Sequence, residues 1–207
     1  MPGPLHTSST TNAGSVIPSQ PDQSGGYSSL NSLVSDRHYP IIREALIKDG
    51  LYDKSSDKNY LKTAISDYES LLVKMPSNTG VTTVLNNLAY LLAESNERLP
   101  DALKYAKKAL DAKPDSPIVL DTYAYVLLKS GKKQQAAESL AAALQHFEQD
   151  KIAVPAEVYE HQGMIKEELG AKSEALSAYK QALEAGGEKL SQKARQRIEA
   201  AIGRVSP

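Results

Sequence analysis

A recurring pair of alanines is the feature that most constrains how this chain can fold. Ala102 and Ala136 lie 34 residues apart, and another alanine follows each of them seven residues later. Ala175 and Ala182 repeat the pair further along the chain. Seven residues are two helical turns, so both alanines of a pair share one helix face. A period of this length predicts stacked helical pairs, because a single pair cannot cover its own apolar face.

The segments before these alanines show a matching pattern of small and large residues. Ala89, Ala124 and Gly163 are small residues in the middle of predicted helices, where two helices must approach closely. Large side chains surround them at helical spacing: Leu85, Leu88, Leu92, Leu120, Tyr123, Leu127, Tyr159, Ile165 and Leu169. A weaker earlier copy runs from Ala64 to Pro76. The repeat therefore consists of two helices that interlock through small residues.

Prolines and glycines mark where the helices begin and end. Proline suits the first helical turn, and glycine suits the left-handed residue that follows a helix. No alternating stretch between these marks resembles a strand. Helices are predicted at roughly 40–49, 59–74, 82–95, 100–112, 117–130, 133–147, 155–169, 172–185 and 188–202. The predicted fold class is all-α.

These features together resemble the tetratricopeptide repeat. The run AsnAsnLeuAlaTyrLeuLeuAla at 86–93, followed by ProAspSerProIleValLeuAspThrTyrAlaTyrValLeu at 114–127, is similar to repeats of large bacterial proteins. The resemblance covers about residues 58–202 and implies a right-handed α-α superhelix over 37–203. Its expected parts are a degenerate pair at about 40–76, repeats at about 82–116, 117–154 and 155–187, and a capping helix at about 188–203.

Residues 1–36 differ in composition from the rest and are predicted to be a disordered tail or linker. Pro, Gly, Ser, Thr, Asn and Gln supply 24 of these 36 positions. Such a stretch cannot bury enough apolar surface to offset the entropy lost on ordering.

The overall composition excludes several classes of function. A net charge of −1 gives no general attraction for nucleic acid, and no apolar run is long enough for membrane insertion. Cysteine is absent, which excludes disulfides and thiolate chemistry. The first residues show no export signal, so a cytoplasmic location is the default expectation. A periplasmic or secreted location stays open if the chain is a fragment or a mature form.

No catalytic, cofactor-binding or metal site is predicted, and the chain is not expected to be an enzyme. The four histidines lie far apart in the helical arrangement, without obvious partners for nucleophilic catalysis. Glu157 and His161 are four residues apart, a spacing more typical of a solvated pair than of a metal site. No phosphate-binding glycine loop is present.

The family resemblance implies that the first helix of each pair lines a concave groove. The predicted partner-binding residues are Asn86, Asn87, Tyr90, Asp121, Tyr125, Lys129, Glu157, Glu160 and Met164. Tyr90, Tyr125 and Met164 occupy equivalent places and could form a ladder of anchors. Two alternatives stay open: the tyrosines could pack between repeats, and Asn87 could tie two repeats together.

The leading functional hypothesis is a scaffold that binds a partner peptide or helix in this groove. The third groove helix is rich in glutamate, so a basic or apolar segment is favoured over an acidic C-terminus. One alternative is a self-assembling module of a larger bacterial assembly or export system, with the chain as a homo-oligomer. Another is the non-catalytic part of a larger enzyme.

Overall fold

The computed structural model describes residues 58–74 and 80–207, which form eight α-helices and no strand. The predicted tail at 1–36 and helix at 40–49 lie outside the described residues. The helices are α1 Lys58–Lys74, α2 Val81–Ser95, α3 Leu99–Ala112, α4 Pro117–Lys129, α5 Lys133–Gln149, α6 Ala156–Glu168, α7 Lys172–Gly186 and α8 Gln192–Val205. The prediction of an all-α solenoid is confirmed.

The described helices form two rows of different compactness. Helices α2 and α3, α4 and α5, and α6 and α7 make the three closest pairs. The first helices of these pairs also contact one another, α2 with α4 and α4 with α6. The second helices α3, α5 and α7 have no comparable contact among themselves. The first helices lie closer to one another than the second helices do, so the stack curves. The first helices α2, α4 and α6 lie on the concave side and are called the inner row below.

The recurring alanines are the contact points between the two rows. Ala102, Ala136 and Ala175 are fully buried, and so are the alanines seven residues after them. Gly163 in α6 faces the ring of Tyr179 in α7 so closely that an added Cβ would lie 2.5 Å from it. The absence of a side chain at Gly163 lets the ring of Tyr179 fill the remaining space.

The helix ends follow the predicted punctuation except at the last helix. Gly131 and Gly170 adopt left-handed backbone angles, with φ of +75° and +79°. The predicted helix at 188–202 instead begins at Gln192, because residues Gly187–Lys189 form a short 3₁₀ turn. The Ser191 side chain accepts a hydrogen bond from the backbone N–H of Ala194 and so fixes the later start.

We expect Gly163→Ala to destabilise the fold by roughly 1–3 kcal/mol, because the new methyl group would displace the buried Tyr179 ring. Gly203 is also within a helix, but a Cβ there meets nothing within 4 Å. Gly203→Ala should therefore be neutral or stabilising, by up to about 1 kcal/mol. Urea unfolding of both variants tests this, and equal effects at the two sites would contradict the close packing at Gly163.

Candidate partner-binding face

Three rings from three consecutive first helices stack across the inner row. The centroids of Tyr90 in α2 and Tyr125 in α4 are 5.3 Å apart. The ring of His161 in α6 lies 4.4 Å from Tyr125, with 19° between the planes. Met164 was predicted to continue this ladder, but His161 continues the stack, while Met164 packs against three apolar clusters. Since Tyr90 and Tyr125 are only 9% and 3% exposed, the stack joins the repeats together.

His161 forms a buried ion pair with Asp121 across the boundary between two repeats. Its Nδ1 lies 2.9 Å and 3.1 Å from the two carboxylate oxygens of Asp121. Burial alone lowers the pKa of His161, but the charge and hydrogen bond of Asp121, aided by Glu157 and Glu160, raise it to about 9. The expectation that no histidine has an obvious partner is therefore wrong for His161. Residues 40 positions apart meet because consecutive first helices are adjacent.

Asn86, Asp121 and Glu160 occupy the same place on successive first helices, three residues before the small residue. All three are buried, with 3%, 5% and 4% of their surface exposed. The carboxylate of Asp121 binds His161, whereas that of Glu160 accepts hydrogen bonds from Nε and Nη2 of Arg197 in α8. The Nη2–Oε2 distance is 2.8 Å. These three residues are called the polar floor below.

Charged side chains with more access to solvent surround the aromatic stack. The ammonium group of Lys129 lies 5.9 Å from the centroid of the Tyr125 ring. The hydroxyl of Tyr125 donates a hydrogen bond to the carboxylate of Glu94 at the end of α2. Glu157 and Met164 are also partly exposed. Of the nine predicted residues, Lys129, Glu157 and Met164 are thus partly accessible, and the other six are buried.

Asn87 is buried and binds the preceding repeat. Its Nδ2 donates a hydrogen bond to the hydroxyl of Tyr68 in α1, at 3.1 Å. Both residues are almost fully buried, with 1% and 0% of their surface exposed. This geometry favours the alternative in which Asn87 ties two repeats together over the one in which it holds a partner's backbone.

Arg197 was not among the predicted site residues, because α8 was expected to be only a cap. In the structure α8 also reaches α6 at a second point, where Arg204 binds Glu167 at 3.0 Å and 3.2 Å. Glu167 in turn accepts a hydrogen bond from the hydroxyl of Tyr179. The last helix therefore takes part in the inner row through two arginines.

The described residues contain neither a cluster suited to a metal ion nor a membrane-crossing helix. No group of three or more His, Cys, Asp or Glu side chains could hold a metal ion in that part of the chain. No helix there is long and apolar enough to cross a membrane.

Comparison with known proteins identifies the architecture. Half of this chain is 29% identical, over 106 residues, to a TPR repeat-containing protein of Pseudomonas aeruginosa. A thermophilic TPR protein of Thermus thermophilus matches the structure with a TM-score of 0.52 and 19% identity, over 80% of this chain and 94% of that chain. The chain folds as a tetratricopeptide-repeat solenoid.

A second solved tetratricopeptide-repeat structure, from Parabacteroides merdae, gives the same result. Its TM-score is 0.50 at 19% identity, over 83% of this chain and 60% of that chain. The matched region of the Pseudomonas relative is only 18% of that protein's length, so most of it has no counterpart here. No protein-family model matches the chain. The solenoid fold and its bacterial resemblance are shown by these likenesses.

We expect the hydrogen bond between Asn87 and Tyr68 to stabilise the first described repeat boundary. Tyr68→Phe removes the acceptor and leaves a buried amide, so it should cost about 1–2 kcal/mol of unfolding free energy. A double-mutant cycle with Asn87→Ala should give a coupling energy of about 1 kcal/mol. Additive effects of the two substitutions would show that the bond contributes nothing.

The ion pair between His161 and Asp121 should make stability depend on pH. The pKa of His161 is about 9 in the folded chain and 6.5 ordinarily. The stabilisation of the fold by its protonated ring is therefore complete below pH 6.5. It should be lost as the pH rises through 9, and it amounts to roughly 3 kcal/mol. Urea unfolding at about pH 6 and about pH 10 measures this loss.

The control for that experiment is His161→Gln, which cannot ionise. The variant should be less stable than the natural chain near pH 6 and should lose less stability towards pH 10. The charged groups that act on His161 are Asp121 in α4 and Glu157 and Glu160 in α6. Parallel profiles of unfolding free energy against pH for the two proteins would contradict the assigned protonation of His161.

Proposed function

We propose that this chain is a protein-interaction scaffold that binds a partner segment along the inner row of α2, α4 and α6. The repeat fold supports this role because each added pair extends one continuous face without adding catalytic machinery. The segment would lie across the first helices as an extended peptide or a helix. The observation that supports this face most is its combination of a fixed aromatic and polar floor with charged residues at the edge.

The buried residues would act by fixing the shape of the face. Tyr90 and Tyr125 are stacked, and Asp121 and Glu160 are each paired with a cation. A partner therefore meets a floor that is already ordered and loses less entropy on binding. Lys129, Glu157 and Met164 would make direct contacts, because they are the predicted residues with partial access to solvent.

The chemistry of the accessible residues favours a segment with basic and apolar side chains. Glu94 and Glu157 bring negative charge to the edge of the face, whereas Lys129 is held close to the Tyr125 ring. Ile118 at the start of α4 is 39% exposed and offers apolar contact. An acidic peptide would meet like charge from the glutamates, which raises the free energy of binding.

Selection from a random peptide display library tests the function. The natural chain should enrich peptides that contain Arg or Lys together with apolar residues, and should select against Asp and Glu. The double variant Glu94→Gln/Glu157→Gln should bind an enriched peptide at least about tenfold more weakly, with less dependence on salt. Isothermal titration at two salt concentrations measures both effects.

The matched control is Glu138→Gln/Glu184→Gln, which removes the same charge from exposed positions on α5 and α7. This variant should bind the enriched peptide as the natural chain does. Equal weakening in both variants would indicate general electrostatic attraction and would refute binding at the inner row. Selection that enriches no peptide would refute the proposed function itself.

A further inference from the structure

The two carboxylates of the polar floor are paired in different ways. Asp121 binds His161, a short side chain that is itself only 5% exposed and lies between packed helices. Glu160 binds Arg197. The side chain of Arg197 is 46% exposed, whereas the side chain of Glu160 is only 5% exposed. Displacing His161 would require α4 and α6 to separate. Displacing Arg197 requires only that a half-exposed side chain rotate into solvent.

The surroundings of Glu160 suit a guanidinium group. The two hydrogen bonds from Arg197 form a forked contact, the geometry that distinguishes arginine from lysine. Glu160 directly precedes His161, whose ring continues the aromatic stack, and it is in register with Asp121 on the inner row. The hydrogen bond to Glu160 raises the pKa of Arg197, so the cation is permanent. The site thus lies on the face proposed to bind a partner.

We propose that Arg197 is an internal occupant of a guanidinium site on Glu160, and that an arginine of the partner segment replaces it on binding. This inference rests on the proposed function and names the partner side chain that the inner row takes. The exchange replaces one guanidinium with another, so the buried carboxylate is never left without a cation. The cost of binding is then mainly the release of Arg197, which makes α8 a competitor of the partner.

The experiment uses a small probe in place of a partner. N-acetyl-arginine methylamide is titrated into the isotopically labelled chain, and the backbone amide shifts near Glu160 are followed by NMR. An occupant present about nine-tenths of the time lowers apparent affinity about tenfold. Arg197→Ala should therefore bind the probe at least about tenfold more tightly than the natural chain. N-acetyl-citrulline methylamide, which has the same shape without the charge, should not bind either protein.

Two further variants establish where the probe binds. Arg204→Ala removes the same charge from the same helix but leaves Glu160 paired, so it should not increase probe binding near Glu160. Adding Glu160→Gln to Arg197→Ala should abolish the gain in affinity for the arginine probe. Arg197→Gln keeps the first methylene groups of the side chain and serves in place of Arg197→Ala if the alanine variant does not fold.

Equal affinity of the natural chain and the Arg197 variant would overturn the inference, and so would a gain that survives Glu160→Gln. The probe titration requires no partner, so its result is separate from that of the peptide selection. Probe binding together with a failed selection would refute the proposed function while retaining the guanidinium site. Successful peptide selection together with failed probe binding would refute the guanidinium site while retaining the proposed function.

Discussion

Close contact between the two helices of each pair is the constraint on which the rest of this structure depends. Small residues such as Ala89, Ala124 and Gly163 are buried and let a second helix approach, and at Gly163 the ring of Tyr179 fills the space that remains. This approach sets the distance between rows and so determines how strongly the stack curves. The inner row becomes compact enough for side chains on consecutive first helices to touch.

The polar residues of the inner row follow from this compactness. At the distance of packed first helices, a side chain on one repeat reaches the next, and Asp121 meets His161 while Glu160 meets Arg197. A buried carboxylate is costly unless a cation accompanies it, so each of these acids is tied to a particular partner. The pairs therefore hold neighbouring first helices, and the last helix, in one register. The same region is the face proposed to meet another protein.

The sequence predicted the helices well and the side-chain contacts less well. Alanine spacing and proline–glycine punctuation are local features, so they place α2 to α7 without knowledge of the tertiary structure. The start of α8 was misplaced because the 3₁₀ turn and the Ser191 cap interrupt an otherwise helical composition. The pairing of His161 was missed because its partner is 40 residues away. The packing of consecutive first helices against each other brings that pair together.

The extensive helix contacts of the described chain run between helices that are close in sequence, and this has a consequence for how the molecule opens. No strand or long loop ties one end of the stack to the other within residues 80–207. Helix α8 can therefore detach by breaking only its contacts with α7 and α6, while the central pairs stay folded. Amide hydrogen exchange would then be graded along the solenoid, slowest in α4 and α5 and faster toward α8. Helix α8, which carries Arg197, is thus near the easily opened end of the gradient.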